Sequence, residues 1–221
     1  MIGRTNAGSG RLTAIIAVTC PEGSVCTVTN GYKTYKAKDT SGAALFSVAA
    51  GDWTVSCTDG EHTVSKGISV EVNSAVNVKL MYEFYIFKEG EGLQNDFTVA
   101  FGTPYYYPEL TNDYVQWSGD NSAHNNTVVF KPQIDLSPYS SVNFELICTK
   151  RNASTNYITI GVGSDLPTND SNPGTYVAYL GNLYTETRGV YSVDISEITD
   201  SLYIKMNGVQ VNGRIYNCWL S

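Results

Sequence analysis

Short segments in which apolar residues recur at every second position, separated by turn chemistry, constrain this chain more than any other feature. Trp53, Val55 and Cys57 fall on one side of such a segment and Thr54, Ser56 and Thr58 on the other. That spacing lines one face of a strand and cannot line one face of a helix. Asn30-Gly31 and Asp59-Gly60 are strong hairpin signals, because both central positions of a type I′ turn need positive φ. No stretch carries a helical repeat of useful length. Composition agrees: charged residues make up 16% of the chain, against about 25% in ordinary domains, so the Lys- and Glu-rich surface of helices is missing. Sixteen Tyr stand against three Met. The expected fold class is all-β.

Residues 12–82 read as a small β-sandwich. Segments 12–19, 25–29, 33–37, 44–48, 53–58, 62–66, 68–72 and 75–80 supply about seven strands, enough to close two sheets over one core. In 44–48 the apolar trio Ala44, Phe46 and Val48 shares the inward face. Residues 1–11 stand apart, with three glycines and no apolar periodicity. Such a segment either frays or orders against a partner.

The run Asp39-Thr-Ser-Gly-Ala-Ala-Leu-Phe-Ser-Val48, followed by Gly51-Asp-Trp-Thr-Val55, resembles the D-x-x-G-x-a-x-F-x-V … G-x-W/Y-x-V pattern of carboxypeptidase-regulatory-like and related Ig-like (transthyretin-like) sandwich domains. The resemblance covers about a third of the chain and implies a sandwich in which the aromatic after the second Gly plugs the core. Domains of this kind recur as accessory modules in phage tail and other virion proteins. The opening Met1-Ile-Gly-Arg-Thr-Asn6, with Cys20-Pro-Glu-Gly-Ser24 and the run from Trp53 to Gly60, resembles structural proteins encoded in prophages of Gram-positive gut bacteria.

A new strand start at Glu83-Phe-Tyr-Ile-Phe-Lys88, followed by the turn Glu89-Gly-Glu-Gly92, opens a second unit over 83–221. Charge divides there too: 83–221 holds 7 basic and 15 acidic residues, while 12–82 nets -1 and 1–11 nets +2. Strands are expected at 97–101, 114–118, 127–131, 142–149, 157–162, 175–180, 190–195, 202–206 and 214–220, a count that suits two packed sheets. Asp194-Ile-Ser-Glu-Ile198 reads as a short turn. Strict alternation in the last strand puts Ile215, Asn217 and Trp219 on one face and Tyr216, Cys218 and Leu220 on the other. The layout resembles the jelly-roll modules of carbohydrate-binding and phage adhesion proteins, and a larger β jelly roll is the expectation for this unit.

A net charge of -7 and a pI near 4.8 remove the electrostatic footprint of a nucleic-acid or anionic-membrane binder. The apolar run 12–18 falls far short of the ~20 residues of a membrane helix. Arg4 and Arg11 before it and Cys20 after it imitate a lipoprotein signal, but the run is short and Thr19 precedes the cysteine. Cys20, Cys26, Cys57, Cys148 and Cys218 are odd in number and scattered, a pattern of reduced thiols in a chain made in the bacterial cytoplasm. Cys20 and Cys26 can pair only if one hairpin holds both.

Catalytic signals are sparse. His62 and His124 are too few and too far apart for a zinc site or a Ser-His-Asp constellation. Glu109, Asp113 and Asp120 read as solvated loop acids rather than a glycosidase pair. The loops 119–126 and 165–174 are rich in oxygen ligands; they serve either turns or a calcium ion, and neither has EF-hand spacing. No metal or cofactor is assigned. The feature with functional colour is Tyr105, Tyr106 and Tyr107 before Pro108, with Tyr114 and Trp117 shortly after. Exposed rings stack on the CH faces of sugars, so Tyr105, Tyr106, Tyr107 and Trp117 are the candidate glycan-binding residues. The alternative is that these tyrosines pack inward or at a subunit interface. The resemblances imply a non-enzymatic bacteriophage virion protein of the tail, baseplate or fibre kind. Residues 1–11 would attach it to other virion proteins, the jelly roll would meet a host-surface glycan or a second virion protein, and copies of the chain would self-associate. The alternative from another class is a secreted bacterial carbohydrate-binding or adhesion module.

Overall fold

The computed structural model describes residues 13–38, 41–101, 109–118, 125–150, 157–167, 174–209 and 211–221, and every regular element among them is a strand. The protein is all-β. It divides into two compact units, one ending at Tyr82 and one running from Glu83 to Ser221, each with its own apolar core.

Among the described residues the first unit has seven strands: β1 (Thr13–Thr19), β2 (Val25–Thr29), β3 (Thr34–Ala37), β4 (Ala43–Ala49), β5 (Gly51–Thr58), β6 (Thr63–Val70) and β7 (Ala75–Lys79). They form a three-stranded sheet ordered β4-β1-β7 and a four-stranded sheet ordered β3-β2-β5-β6. Alternation is strict: Ala14, Ile16 and Val18 of β1, Ala44, Phe46 and Val48 of β4, and Trp53, Val55 and Cys57 of β5 are all buried. The two segments expected at 62–66 and 68–72 are one strand, β6. Gly67 does not break it, because its backbone stays in the β5–β6 ladder opposite Thr54.

Both hairpins form, by a turn other than type I′. Thr29-Asn30-Gly31-Tyr32-Lys33-Thr34 and Thr58-Asp59-Gly60-Glu61-His62-Thr63 share the pattern T-[N/D]-G-x-x-T. In each, the two threonines pair across the ladder and four residues form the loop. Asn30 Oδ1 accepts from the amides of Tyr32 and Lys33, and Asp59 Oδ1 from those of Glu61 and His62. The side chain thus completes the turn. The backbone N–H of His62, above all, holds the Asp59 carboxyl down at about 2.

None of the five cysteines forms a disulfide, and all are buried. Cys26 and Cys57 face each other in the β2–β5 register, and burial pushes the thiols of Cys148 and Cys218 up. All five thiols are shielded from solvent, so the native protein should react negligibly with an aromatic disulfide reagent over minutes. Unfolding without reductant should then release five equivalents; three or fewer would contradict the structure.

The second unit contains β8 (Phe84–Lys88), β9 (Gly92–Leu93), β10 (Thr98–Phe101), β11 (Glu109–Leu110), β12 (Val115–Ser118), β13 (Asn125–Asp135), β14 (Ser141–Lys150), β15 (Tyr157–Gly163), β16 (Ala178–Leu183), β17 (Thr185–Asp194), β18 (Ser201–Val209) and β19 (Val211–Leu220). Pairing is nested: β12 with β19, β13 with β18, β14 with β17, β15 with β16. This is a long hairpin rolled up on itself, the jelly-roll arrangement. It yields one sheet ordered β10-β13-β18-β15-β16 and another ordered β11-β12-β19-β14-β17, with β8 also on β19. Phe87, Val115, Trp117, Phe130, Phe144, Leu146, Ile160, Met206 and Ile215 are among the residues filling the space between them. β17 begins five residues before the expected position 190 because Thr185-Glu-Thr-Arg-Gly189 is polar and gives no apolar signal.

Alternation fails at one place in β19. Glu145 faces Asn217 and Leu146 faces Ile215, so Tyr216 is an extra residue in the ladder. Such a bulge shifts every later side chain to the other face. Ile215, Cys218 and Leu220 therefore point inward, while Tyr216, Asn217 and Trp219 are partly exposed.

Candidate functional site

The sheet face that turns away from the core of the second unit carries the site. Opposite the inward residues of β12, β14 and β19 lie Gln116, Glu145, Ile147, Asn212, Arg214, Tyr216, Asn217 and Trp219. From Asn212 to Trp219 this strip extends roughly 20 Å, taking ~3.3 Å per strand residue. Its near end holds a recess of about 400 Å³ lined by Gln116, Ile147, Asn212, Arg214 and Tyr216, with Trp117 and Gly213 completing the wall.

Two arginines organise the face in parallel ways. Arg214 lies over the Tyr114 ring at 4.3 Å, and its Nε donates to Gln116 Oε1 at 2.8 Å. Arg188 lies over the Tyr216 ring at 4.0 Å. Its Nε donates to Glu145 at 2.6 Å, and Nη1 and Nη2 donate to the two oxygens of Glu89 at 2.9 and 2.5 Å. Asn217 donates to the other Glu145 oxygen at 2.6 Å. At the far end Tyr85 and Trp219 stack with centroids 5.9 Å apart and planes 20° from parallel. The half-buried tyrosines 114 and 216 are thus each fixed by a guanidinium, a cation–π arrangement that orients a ring without burying it.

The bond from Arg188, and next the one from Asn217, holds the Glu145 carboxyl below the usual range. A carboxylate with a depressed folded-state pKa adds stability above its unfolded value, about 4.3, and loses it as pH falls through the folded value. Arg188→Met should therefore cost about 1 kcal/mol or less at pH 7, these groups being partly exposed. The gap from wild type should close below pH 4 in urea denaturation; a gap independent of pH would contradict the assignment.

Of the residues singled out in the sequence, Tyr105, Tyr106 and Tyr107 lie outside the described residues, as do His124 and residues 1–11. Trp117 corrects the expectation: it is 2% exposed and points between the sheets, so its ring is core and cannot stack on a sugar. Gly208 and Gly213 clear its space. Tyr114 is on the site. Arg214, Tyr216, Asn212, Gln116 and Ile147 were not singled out. The signal was the outward alternation of Asn212, Arg214 and Tyr216 in the last strand, but only the pairing with β12 and β14 brings Gln116 and Ile147 beside them.

His62 Nδ1 sits 3.1 Å from Asp59 in the β5–β6 turn. Glu109 accepts from the Tyr114 hydroxyl at 3.2 Å. No described cluster of His, Cys, Asp and Glu has metal-binding geometry. Asp165, the first acid of the loop weighed for calcium, faces the buried Lys205, whose Nζ is 3.4 Å from both its carbonyl and its Oδ1. A wider recess of about 630 Å³ in the first unit is lined mostly by turn and small residues, among them Asn30, Gly31, Gly67 and Ser69.

No known protein family matches the chain, and no curated protein does. Among solved structures it is similar to one described under the promiscuous specificity of carbohydrate-binding modules from the beta-sandwich superfamily, with 13% identity and a TM-score of 0.35 over 89% of this chain and 85% of that one. It is also similar to a DUF3823 family protein from Bacteroides ovatus, with 14% identity and a TM-score of 0.24 over 94% and 95% of the two chains. Both likenesses are loose, and the all-β architecture rests on the strands themselves.

Proposed function

We propose that the second unit is a saccharide-binding module that acts by binding, with no catalytic step. The recess on the outer face of the β12-β19-β14 sheet carries this reading. Its walls combine a guanidinium-fixed Tyr216 ring for the CH face of a sugar with the planar amides of Gln116 and Asn212 for its hydroxyls, the mixture that orients a polar ring in a shallow site. The strip running on to Tyr85 and Trp219 offers length for more than one sugar unit. The setting that fits the recess is a bacterial carbohydrate-binding or adhesion module rather than a virion component.

The test is retention of the full chain on a panel of immobilised plant, bacterial-wall and mucin polysaccharides. At least one should retain it, with no reducing sugar released. Tyr216→Ala and Asn212→Ala should each weaken that binding about tenfold, which is about 1.4 kcal/mol, with the unfolding midpoint nearly unchanged for Asn212→Ala. Retention by none of the panel, or retention that neither substitution alters, would sink the reading.

A further inference from the structure

The two ring-stacked arginines of the site differ in one respect. Arg188 has every guanidinium nitrogen engaged by Glu145 and Glu89. Arg214 is anchored by Nε alone, to the neutral Gln116, and no carboxylate pairs with it among the described residues. It is exposed, and it is the one charged side chain among the described residues lining the recess. This occurs in a unit where acids outnumber bases 15 to 7, so an arginine without an acid is not what the composition would supply by default. Fixing Nε and stacking the plane on Tyr114 leaves Nη1 and Nη2 as a preset fork, the geometry that takes a carboxylate through two parallel bonds.

We infer, resting on the saccharide reading above, that the recess selects an acidic sugar, a uronate whose carboxylate docks on the Nη1/Nη2 fork of Arg214 while Tyr216 and Asn212 hold the ring. The acidic surroundings shape the choice further. A net charge of -8 over this unit repels densely charged polyanions at distances within the Debye length, about 8 Å at physiological salt. A single carboxylate in an otherwise neutral saccharide meets the fork at least cost, and a polyuronate or a sulfated chain meets more repulsion than the fork offsets.

Paired probes that differ only at the sixth carbon test this directly. Methyl glucuronide against methyl glucoside, and methyl galacturonide against methyl galactoside, are titrated into the full-length protein and followed by amide and side-chain NMR shifts, with sodium acetate as a third arm. At least one uronide should bind about tenfold or more tightly than its neutral partner, with shifts centred on Asn212, Arg214 and Tyr216. Arg214→Gln should erase the preference, bringing the uronide affinity down to that of its neutral partner measured on the same variant. Arg214→Lys, which keeps the charge and loses the fork, should recover less than half of the preference in free-energy terms. Equal binding of acid and neutral glycosides at the recess would overturn the inference and leave the saccharide reading standing. Acetate matching the uronide would overturn it as well, because the recess would then read an anion and not a sugar. A preference that survives Arg214→Gln overturns it too, and no response to any glycoside overturns both readings.

Discussion

Trp117→Ala is expected to cost about 3–5 kcal/mol of the stability of the second unit, the range for emptying a buried indole site, and so to remove a large fraction of the 5–15 kcal/mol that holds an ordinary domain folded. The ring lies between the two sheets at 2% exposure, against Gly213 of one sheet and Gly208 of the other, and neither glycine has a side chain to fill the void. At roughly 3 °C per kcal/mol for a unit of this size, its calorimetric midpoint should fall by about 10 °C or more. A transition belonging to the first unit, whose core is separate, should stay in place. The indole Nε1 has no hydrogen-bond partner among the described residues, an arrangement that costs free energy in the native state. Trp117→Phe should therefore cost well under half as much as alanine. A midpoint within 2 °C of wild type for Trp117→Ala would show that the ring is not in the core.

Gly213→Ala is expected to be the most damaging single methyl in the protein's candidate site. A Cβ there would stand 2.1 Å from Cζ2 and 2.4 Å from Cη2 of Trp117, and 2.8 Å from the Ile147 carbonyl oxygen. These are distances that force ring, strand or both to move. Overpacking of this kind costs about 1–3 kcal/mol and sometimes more, and because the clash is partly with backbone the upper end is expected. Gly213 also separates Asn212 from Arg214, so displacement of β19 should weaken saccharide binding together with stability. The pair forms a double-mutant cycle: in a Trp117→Phe background, where the six-membered ring reaches less far, Gly213→Ala should cost at least 1 kcal/mol less than in wild type, while the contact with the Ile147 oxygen keeps the rescue partial. Additive costs would place the indole elsewhere.

What the sequence determined by itself is what depends on neighbours a few residues apart. The period of two in Trp53-Thr-Val-Ser-Cys57 dictates a strand whatever surrounds it, because successive side chains on an extended backbone point to opposite faces. Asn30-Gly31 and Asp59-Gly60 dictate reversals for an equally local reason. Even there the sequence leaves the turn class open, since Asn30 and Asp59 use their side chains to close four-residue loops where φ preferences alone suggest two-residue ones. Tertiary structure decided which aromatic is core and which is surface. Trp117 and Tyr114 are three residues apart and read alike as rings near a loop, yet pairing of Trp117 with Gly213, opened by the nested hairpin, turns the first inward. It also decided the site. Gln116 and Arg214 are 98 positions apart and Arg188 and Glu89 are 99, joined by strand register that no local preference specifies. The bulge at Tyr216 depends on an offset between β14 and β19, and it turns the strict alternation of the last strand into a surface ring beside Arg188. Local propensity sets the conformation of each strand; burial summed over the rolled-up hairpin sets the register, and the register places the side chains that meet a ligand.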